Sequence, residues 1–373
     1  MSKDMIRLGD VATYVNGYAF KPEDRGNVGL PIIRIQDLTG HAYDLGFYDG
    51  EYPSKIEINN GDILISWSAS LGVYVWDKGK ALLNQHIFKV VFDKVDIDKK
   101  YFVYAVRRKL DEMVMKTHGA TMKHIVKKDF DETKIPYPTM EEQIEIAKKL
   151  DKVLYIIQKR KQELELLDDL IKARFVEMFG NPVLNDKGWE QKSLGEITTK
   201  IGSGATPKGG KEAYQEEGIT LIRSMNVHNG QFEYKDLAYI SDEQASKLDN
   251  VTIEEDDVLL NITGASVARS CVVPNEILPA RVNQHVCIIR CKDCIIPEFL
   301  NKLLIDDNYQ DLLWSIAGSG ATRESITKQQ VENLQIILPM LELQKEFMAF
   351  CHQVTKSKLL EFSSLQNHTG MLQ

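Results

Sequence analysis

Catalysis needs groups that hold phosphate, bind a metal or present a nucleophile, and this sequence supplies few of them. No Gly-x-x-x-x-Gly-Lys-Ser/Thr run occurs, so no loop of that kind can cradle the phosphates of ATP. The adenine-methylation motif, Asn-Pro-Pro or Asp-Pro-Pro followed by an aromatic, is missing too. Gly202-Ser203-Gly204 and Gly318-Ser319-Gly320 lack the third glycine of a dinucleotide turn and read as loops. Cys291-x-x-Cys294 has no second ligand pair at zinc-finger spacing and reads as two reduced thiols. His86 and His285 each follow Asn-Gln and precede an apolar run. With no partner pattern for a triad, a hydrogen-bonding structural role fits them. The expectation is no catalytic, cofactor-binding or metal-binding residue in this chain.

Nucleic-acid binding has more support. Lys99, Lys100, Arg107, Arg108, Lys109, Lys116, Lys123, Lys127 and Lys128 stand against only Asp111 and Glu112 over one short stretch. A local excess of that kind neutralises backbone phosphates; the alternative is a solvated helix face. Later basic groups are Lys208, Lys211, Arg223, Arg269 and Arg281. Side chains able to read base edges sit in polar loops near these charges: Gln36, Ser68, His118, Thr121 and Lys123, then Asn226, Ser266, Arg269, Thr322 and Arg323. The expected DNA-binding set therefore joins those residues with Lys99, Lys100, Arg107, Arg108, Lys208 and Arg223.

The elements that would position these loops are written twice. Leu8-Gly9-Asp10 returns as Leu194-Gly195-Glu196, and residues 30–40 answer to 219–230 with Arg34 matching Arg223. Asn84-Gln85-His86 returns as Asn283-Gln284-His285, and Gly119-Ala120-Thr121 as Gly320-Ala321-Thr322. Pro138 and Gln143 match Pro339 and Gln344. So long a repeat exceeds solenoid periods and means a duplicated domain. Within each copy, DILIS, GVYVW, HIFKVVF, DVLLNI, RSCVV and HVCIIR read as strands of a mixed or antiparallel sheet. A helix is expected after the last strand of each copy, over 100–116 and 297–317.

Between the copies, residues 139–179 contain no Gly and no Pro. Thr139 and Glu142 form a capping box at the start, and Gly180-Asn181-Pro182 ends the helix. Ala147, Leu150, Leu154, Ile157, Leu164, Ile171, Phe175 and Met178 form an apolar seam interrupted by Lys161 and Asp168. Residues 340–365 predict a second, shorter helix carrying Leu343, Phe347, Phe350 and Val354 on one face. Antiparallel pairing of the two would give pseudo-two-fold symmetry. The expected fold is α+β: two similar mixed domains separated by two long antiparallel coiled-coil helices. Its boundaries are 1–138, 139–180, 181–338 and 339–373.

The totals agree with such a protein. With 43% hydrophobic and 27% charged residues, 373 positions can fill two cores. The net charge of −8 argues against a protein that coats nucleic acid with its whole surface, but leaves room for local basic faces. No apolar run approaches the roughly 20 residues of a membrane span, and the start lacks a signal-peptide core. Five cysteines suit a reducing compartment, so a cytoplasmic location is expected.

The duplicated domain, GATMKHI and GATRESI, the Pro-x-x-x-x-Gln run opening each helix, and ARFVEMFGNP at the end of the first helix together resemble the specificity subunit of type I restriction–modification systems. The resemblance covers essentially the whole chain. It implies that the globular units are target recognition domains, each reading one half of a bipartite, asymmetric double-stranded DNA site. It implies that the helices set the spacing and dock two methyltransferase subunits. Those subunits bind S-adenosylmethionine and methylate adenine, and motor-nuclease subunits using ATP and magnesium join to cut unmodified DNA. No catalytic residue is carried over, because the family has none of its own. The short second helix leaves room for a truncated regulatory variant. Two other classes compete: a coiled-coil scaffold without DNA binding, and a metal-dependent nuclease with a degenerate acidic site.

Overall fold

The computed structural model describes residues 4–40, 44–116, 126–206, 210–318 and 324–370. They form two compact units, the first ending at Ile157 and the second beginning at Gln158, so the boundary lies inside one helix. Among the described residues, no helix is long and apolar enough to cross a membrane.

The repeat in the sequence is a repeat in topology. In the first unit Met5–Arg7 pairs antiparallel with Lys134–Pro136; in the second Gln191–Ser193 pairs antiparallel with Gln335–Ile337. The ends of each copy are thus stitched together just before a long helix begins. Inside the first unit a four-stranded sheet runs in the order Thr13–Asn16, Ile87–Val91, Ile63–Ser66, Gly72–Val75. Its counterpart runs Thr198–Ser203, Val286–Cys291, Val258–Asn261, Ser270–Val272. A second sheet sets Leu30–Ile33 parallel to Ala81–Leu83 and, in the other unit, Ile219–Ile222 parallel to Ala280–Val282.

The central strands of the larger sheets are apolar throughout because both faces are covered. Successive strand residues point to opposite faces. Ile63 and Ile65 join one core of the first unit, while Leu64 joins the other. Val258 and Leu260 join one core of the second unit, while Leu259 joins the other. Each unit therefore has a sheet between two apolar layers.

Two glycines matter for this packing. A Cβ on Gly204 would overlap the Val282 carbonyl, and one on Gly17 would overlap the Asn84 carbonyl. Glycine lets the backbone pass close there. Gly202 and Ser203, expected in a loop, are instead the end of the strand Thr198–Ser203 that makes this approach. The partner fragment is described only at Gly318, the last residue of a helix.

The central helix is Met140–Phe179, 40 residues, or about 60 Å at the usual rise. Thr139 caps it as its sequence requires: the Thr139 N–H donates to Glu142 at 3.0 Å and the Glu142 N–H donates to the Thr139 hydroxyl at 3.3 Å. Gly180 ends it in the left-handed conformation at φ 74°. Of the seam, Ala147, Ile157, Ile171 and Phe175 are buried, together with Phe179, while Leu150, Leu154, Leu164 and Met178 are half-buried.

In the second unit the C-terminal half of this helix lies antiparallel to Leu341–Gly370. Arg174 pairs with Glu346 at 2.9 Å and Asp168 with Lys358 at 2.5 Å, so numbering falls along one helix as it rises along the other. Asp168, which breaks the apolar seam, is thus matched by a cation. Phe175, Phe179, Phe299 and Phe347 stack edge to face and lock both helices onto the second unit.

Two boundaries differ from the sequence reading. The distal helix runs to Gly370, five residues past the expected end at 365. The helix expected over 297–317 is two, Pro297–Leu304 and Asp307–Gly318. Asp306 causes the break: its carboxylate accepts the Asn308 N–H at 3.0 Å and starts a second helix.

Candidate nucleic-acid interface

The rim of the second unit holds a groove of about 420 Å³ lined by Ser224, Thr263, Ser266, Arg269 and His285, with Met225 at its edge. The turn joining Val258–Asn261 to Ser270–Val272 builds one wall. Ala268 takes a left-handed conformation at φ 71°, its N–H donates to the Asn261 carbonyl at 2.9 Å, and Arg269 returns the bond through its carbonyl at 2.8 Å. The Asn261 amide reaches across and donates to the Ser224 carbonyl at 2.8 Å, fixing the opposite wall. His285 is held at both ring nitrogens, Nδ1 by the Thr263 hydroxyl and Nε2 by Gln284 at 3.2 Å. The Gly264 N–H donates to the Glu324 carbonyl at 2.9 Å, which ties the segment after the Gly-Ala-Thr motif to this turn.

The first unit builds the same place from different chemistry. Ala69 is again left-handed, at φ 58°, in the turn between Ile63–Ser66 and Gly72–Val75. Here the Trp67 indole donates to Asn16 at 3.3 Å, meets the His86 ring edge-on at 4.9 Å and stacks on Phe88 at 5.6 Å. His86 has a positive φ of 72° and a buried Nδ1 with no hydrogen-bond partner among the described residues. Where the second unit offers hydroxyls and a guanidinium, the first offers an aromatic wall, with Ser68 partly exposed beside it.

The expected site residues divide accordingly. Ser266 and Arg269 come together in the groove, and Ser68 occupies the equivalent turn. Gln36 is exposed on the short helix Ile35–Thr39. Arg107 and Arg108 are exposed on Lys99–Lys116, where Arg108 pairs with Glu112 at 3.5 Å. Lys99 is exposed and lies over the Phe92 ring at 5.8 Å. His118, Thr121, Lys123, Lys208, Thr322 and Arg323 lie outside the described residues.

Three of the expected residues are otherwise committed. Asn226 is fully buried: its carbonyl accepts the Arg223 N–H at 3.1 Å and its amide donates to the Glu233 carbonyl at 3.0 Å. It holds a turn and has no edge to offer a base. Arg223 is partly buried, donates to the Asp236 carbonyl and lies over Tyr214 at 5.5 Å. Lys100 is neutralised by Asp151 of the central helix at 2.6 Å. Tyr104 donates to the same carboxylate at 2.5 Å. The Lys100 bond, then the tyrosine bond, hold Asp151 below the usual carboxylate range. Tyr104 is pushed up to about 12, first by burial and then by that carboxylate.

The sequence reading missed Ser224, Thr263 and His285 as groove residues. Thr263 stands in register with Ser68, so the repeat alone carried a signal for it.

Residues 2–166 and 186–366 each match the family model for the type I restriction modification DNA specificity domain. The chain belongs to that family. It is similar to the EcoBI specificity subunit of Escherichia coli, 25% identical over 381 residues, covering 94% of this chain and 78% of the relative. It is also similar to the MjaVIII specificity subunit of Methanocaldococcus jannaschii, 24% identical over 365 residues, covering 92% and 83%. Among solved structures, the S subunit of a type I system from M. genitalium shares the fold at TM-score 0.57 and 15% identity, covering 100% of this chain and 94% of that one. A chain from a structural study of type I R-M complex assembly and conformational transition superposes at TM-score 0.65 and 17% identity, covering 100% and 96%. The duplicated topology described above is therefore the specificity-subunit fold, and the chain is a type I restriction–modification specificity subunit.

Proposed function

We propose that the two units each read one half of a gapped, asymmetric DNA site and that the chain itself performs no chemistry. The observation that carries this reading is the paired rim: topologically equivalent turns, each with a left-handed alanine at Ala69 or Ala268, are lined by different side chains. Equivalent position favours equivalent use, and different lining favours different half-sites. DNA positioning would come from exposed cations such as Lys99 and Arg107, with base discrimination at the turns.

In this reading the long helices dock two methyltransferase subunits. The exposed apolar residues Leu166, Leu170 and Val176 give the second unit's stretch of the central helix a surface that favours burial against a partner. Methylation of adenine with S-adenosylmethionine, and cleavage driven by ATP and magnesium, would belong to partner subunits in the cytoplasm. The test is a domain exchange. Replacing residues 1–138 by a homologous domain, in a complex with its methyltransferase, should change one half of the methylated motif. Change in both halves, or in neither, would overturn the modular reading.

A further inference from the structure

We infer that Arg269 is the guanine reader of the second unit, an inference that rests on the DNA-recognition reading above. Every other arginine among the described residues of this unit has an acceptor. Arg160 pairs with Glu163, Arg174 with Glu177 and Glu346, Arg281 with Asp249, and Arg290 with Glu254 and Asp257. Arg223 donates to the Asp236 carbonyl. The Arg269 guanidinium makes no hydrogen bond or ion pair among the described residues, although the residue is partly buried and lines the groove. A partly buried cation without an anion forfeits hydration and gains nothing in return, so a guanidinium that meets no acceptor among the described residues of its groove suits an acceptor from outside.

Its backbone is prepared for that role. The Arg269 N–H donates to the Ser266 carbonyl at 3.3 Å and its carbonyl accepts from Asn261 at 2.8 Å, so the side chain starts from a fixed point. A reader must be held in this way, because a bidentate contact tolerates little misplacement.

The chemistry then selects the base. Guanidinium has donors only, arranged as a planar fork. In the major groove guanine alone shows two adjacent acceptors, O6 and N7; adenine pairs an acceptor with a donor, and thymine and cytosine show one polar group each. Phosphate also fits the fork, but a phosphate contact suits an exposed cation such as Arg107 better than one recessed among hydroxyls. Ser224, Thr263 and Ser266 bring short hydrogen-bonding groups to the same groove, as a base edge needs. The equivalent turn of the first unit, Trp67 to Leu71, contains no cation. This arginine contact belongs to one half-site only.

The test uses the full chain assembled with its methyltransferase subunits and a DNA library randomised over both half-sites. Wild type should select a gapped motif with guanine at a defined position in the half read by the second unit. Arg269→Ala should fold with an unchanged thermal midpoint, because the guanidinium makes no hydrogen bond or ion pair among the described residues. It should lose discrimination at that guanine by about 5- to 150-fold, with the other half-site and the salt slope unaffected. A uniform loss of affinity, with the slope of log K against log salt reduced by about 1, would assign Arg269 to a phosphate and overturn the inference. An unchanged motif and affinity would remove it from the interface. Both results leave the DNA-recognition reading intact, whereas that reading itself fails if wild type selects no motif at all.

Discussion

Gln344 accepts the Ile296 N–H at 2.9 Å and donates to the Pro339 carbonyl at 2.8 Å, and Gln143 repeats both bonds, to the Asp98 N–H at 2.9 Å and the Pro138 carbonyl at 2.9 Å. Each glutamine is buried at the first turn of a long helix. Each reaches the N-terminus of the helix that follows the last strand of its sheet, where backbone N–H groups lack intrahelical acceptors. The Pro-x-x-x-x-Gln spacing is thus a clamp joining the base of a long helix to its own domain.

Removing the clamp leaves buried groups without partners. Gln143→Ala and Gln344→Ala should each cost about 1–3 kcal/mol, because a lost partner exposes the full desolvation penalty of the one that remains. Urea unfolding of the two variants checks this. Stabilities within a few tenths of wild type would show that water replaces the amide and that the clamp is incidental.

A second internal pair differs in burial between the copies, and the difference has a consequence. Asp257 is fully buried and takes two bonds of 2.8 Å from Arg290, while its counterpart Asp62 is partly exposed and pairs with Lys89 at 3.0 Å. Arg290→Ala strands a buried carboxylate and should destabilise by about 3–5 kcal/mol. Lys89→Ala leaves a half-buried carboxylate that water still reaches, and should cost less, about 1–2 kcal/mol. Equal effects in chemical denaturation would contradict the assignment.

Acid should loosen the link between the central helix and the helix Lys99–Lys116. The Lys100 and Tyr104 bonds lower the Asp151 pKa in the folded chain. The folded state therefore binds this proton less readily than the unfolded state does. The bonds stabilise above the ordinary carboxylate pKa of about 3.9, and that contribution fades as pH falls through the lower folded value. Asp151→Asn removes the titration, so the stability gap between wild type and variant should be largest near neutrality and shrink below about pH 4. A gap independent of pH would mean that the pair contributes shape and not charge.

Docking of the methyltransferase should depend on the outward face of the central helix. Leu166 is 64% exposed and Leu170 47%, one helical turn apart. The double change Leu166→Asp with Leu170→Asp should reduce co-purification of the methyltransferase at least about tenfold, consistent with burying two charges in an apolar contact. The thermal midpoint of the isolated chain should hardly move, since neither side chain is in its core. Undiminished co-purification would place the docking surface elsewhere.

The helices and the duplication were legible because their signals are local. The Thr139–Glu142 box, the Gly180 stop and the repeated Asn-Gln-His are readable within a few residues of themselves. The glutamine clamp was half legible: its spacing from proline shows, but the Asp98 and Ile296 N–H groups it holds lie some 45 residues away along the chain. The candidate set for DNA binding was least legible, because burial is a property of the folded chain. Asn226 and Ser224 are both polar residues of one loop, yet one is wholly buried and the other lines the groove. In the same way Lys100 of the basic stretch looked unopposed until the fold brought Asp151 to it.

Mapping N6-methyladenine across the host genome, with and without this gene, tests the central claim most directly. Deletion should erase one gapped, asymmetric motif whose two halves differ, and restoring the gene should restore it. A methylome unchanged by deletion, or the loss of a palindromic motif, would contradict two unlike recognition units directing a pair of methyltransferase subunits.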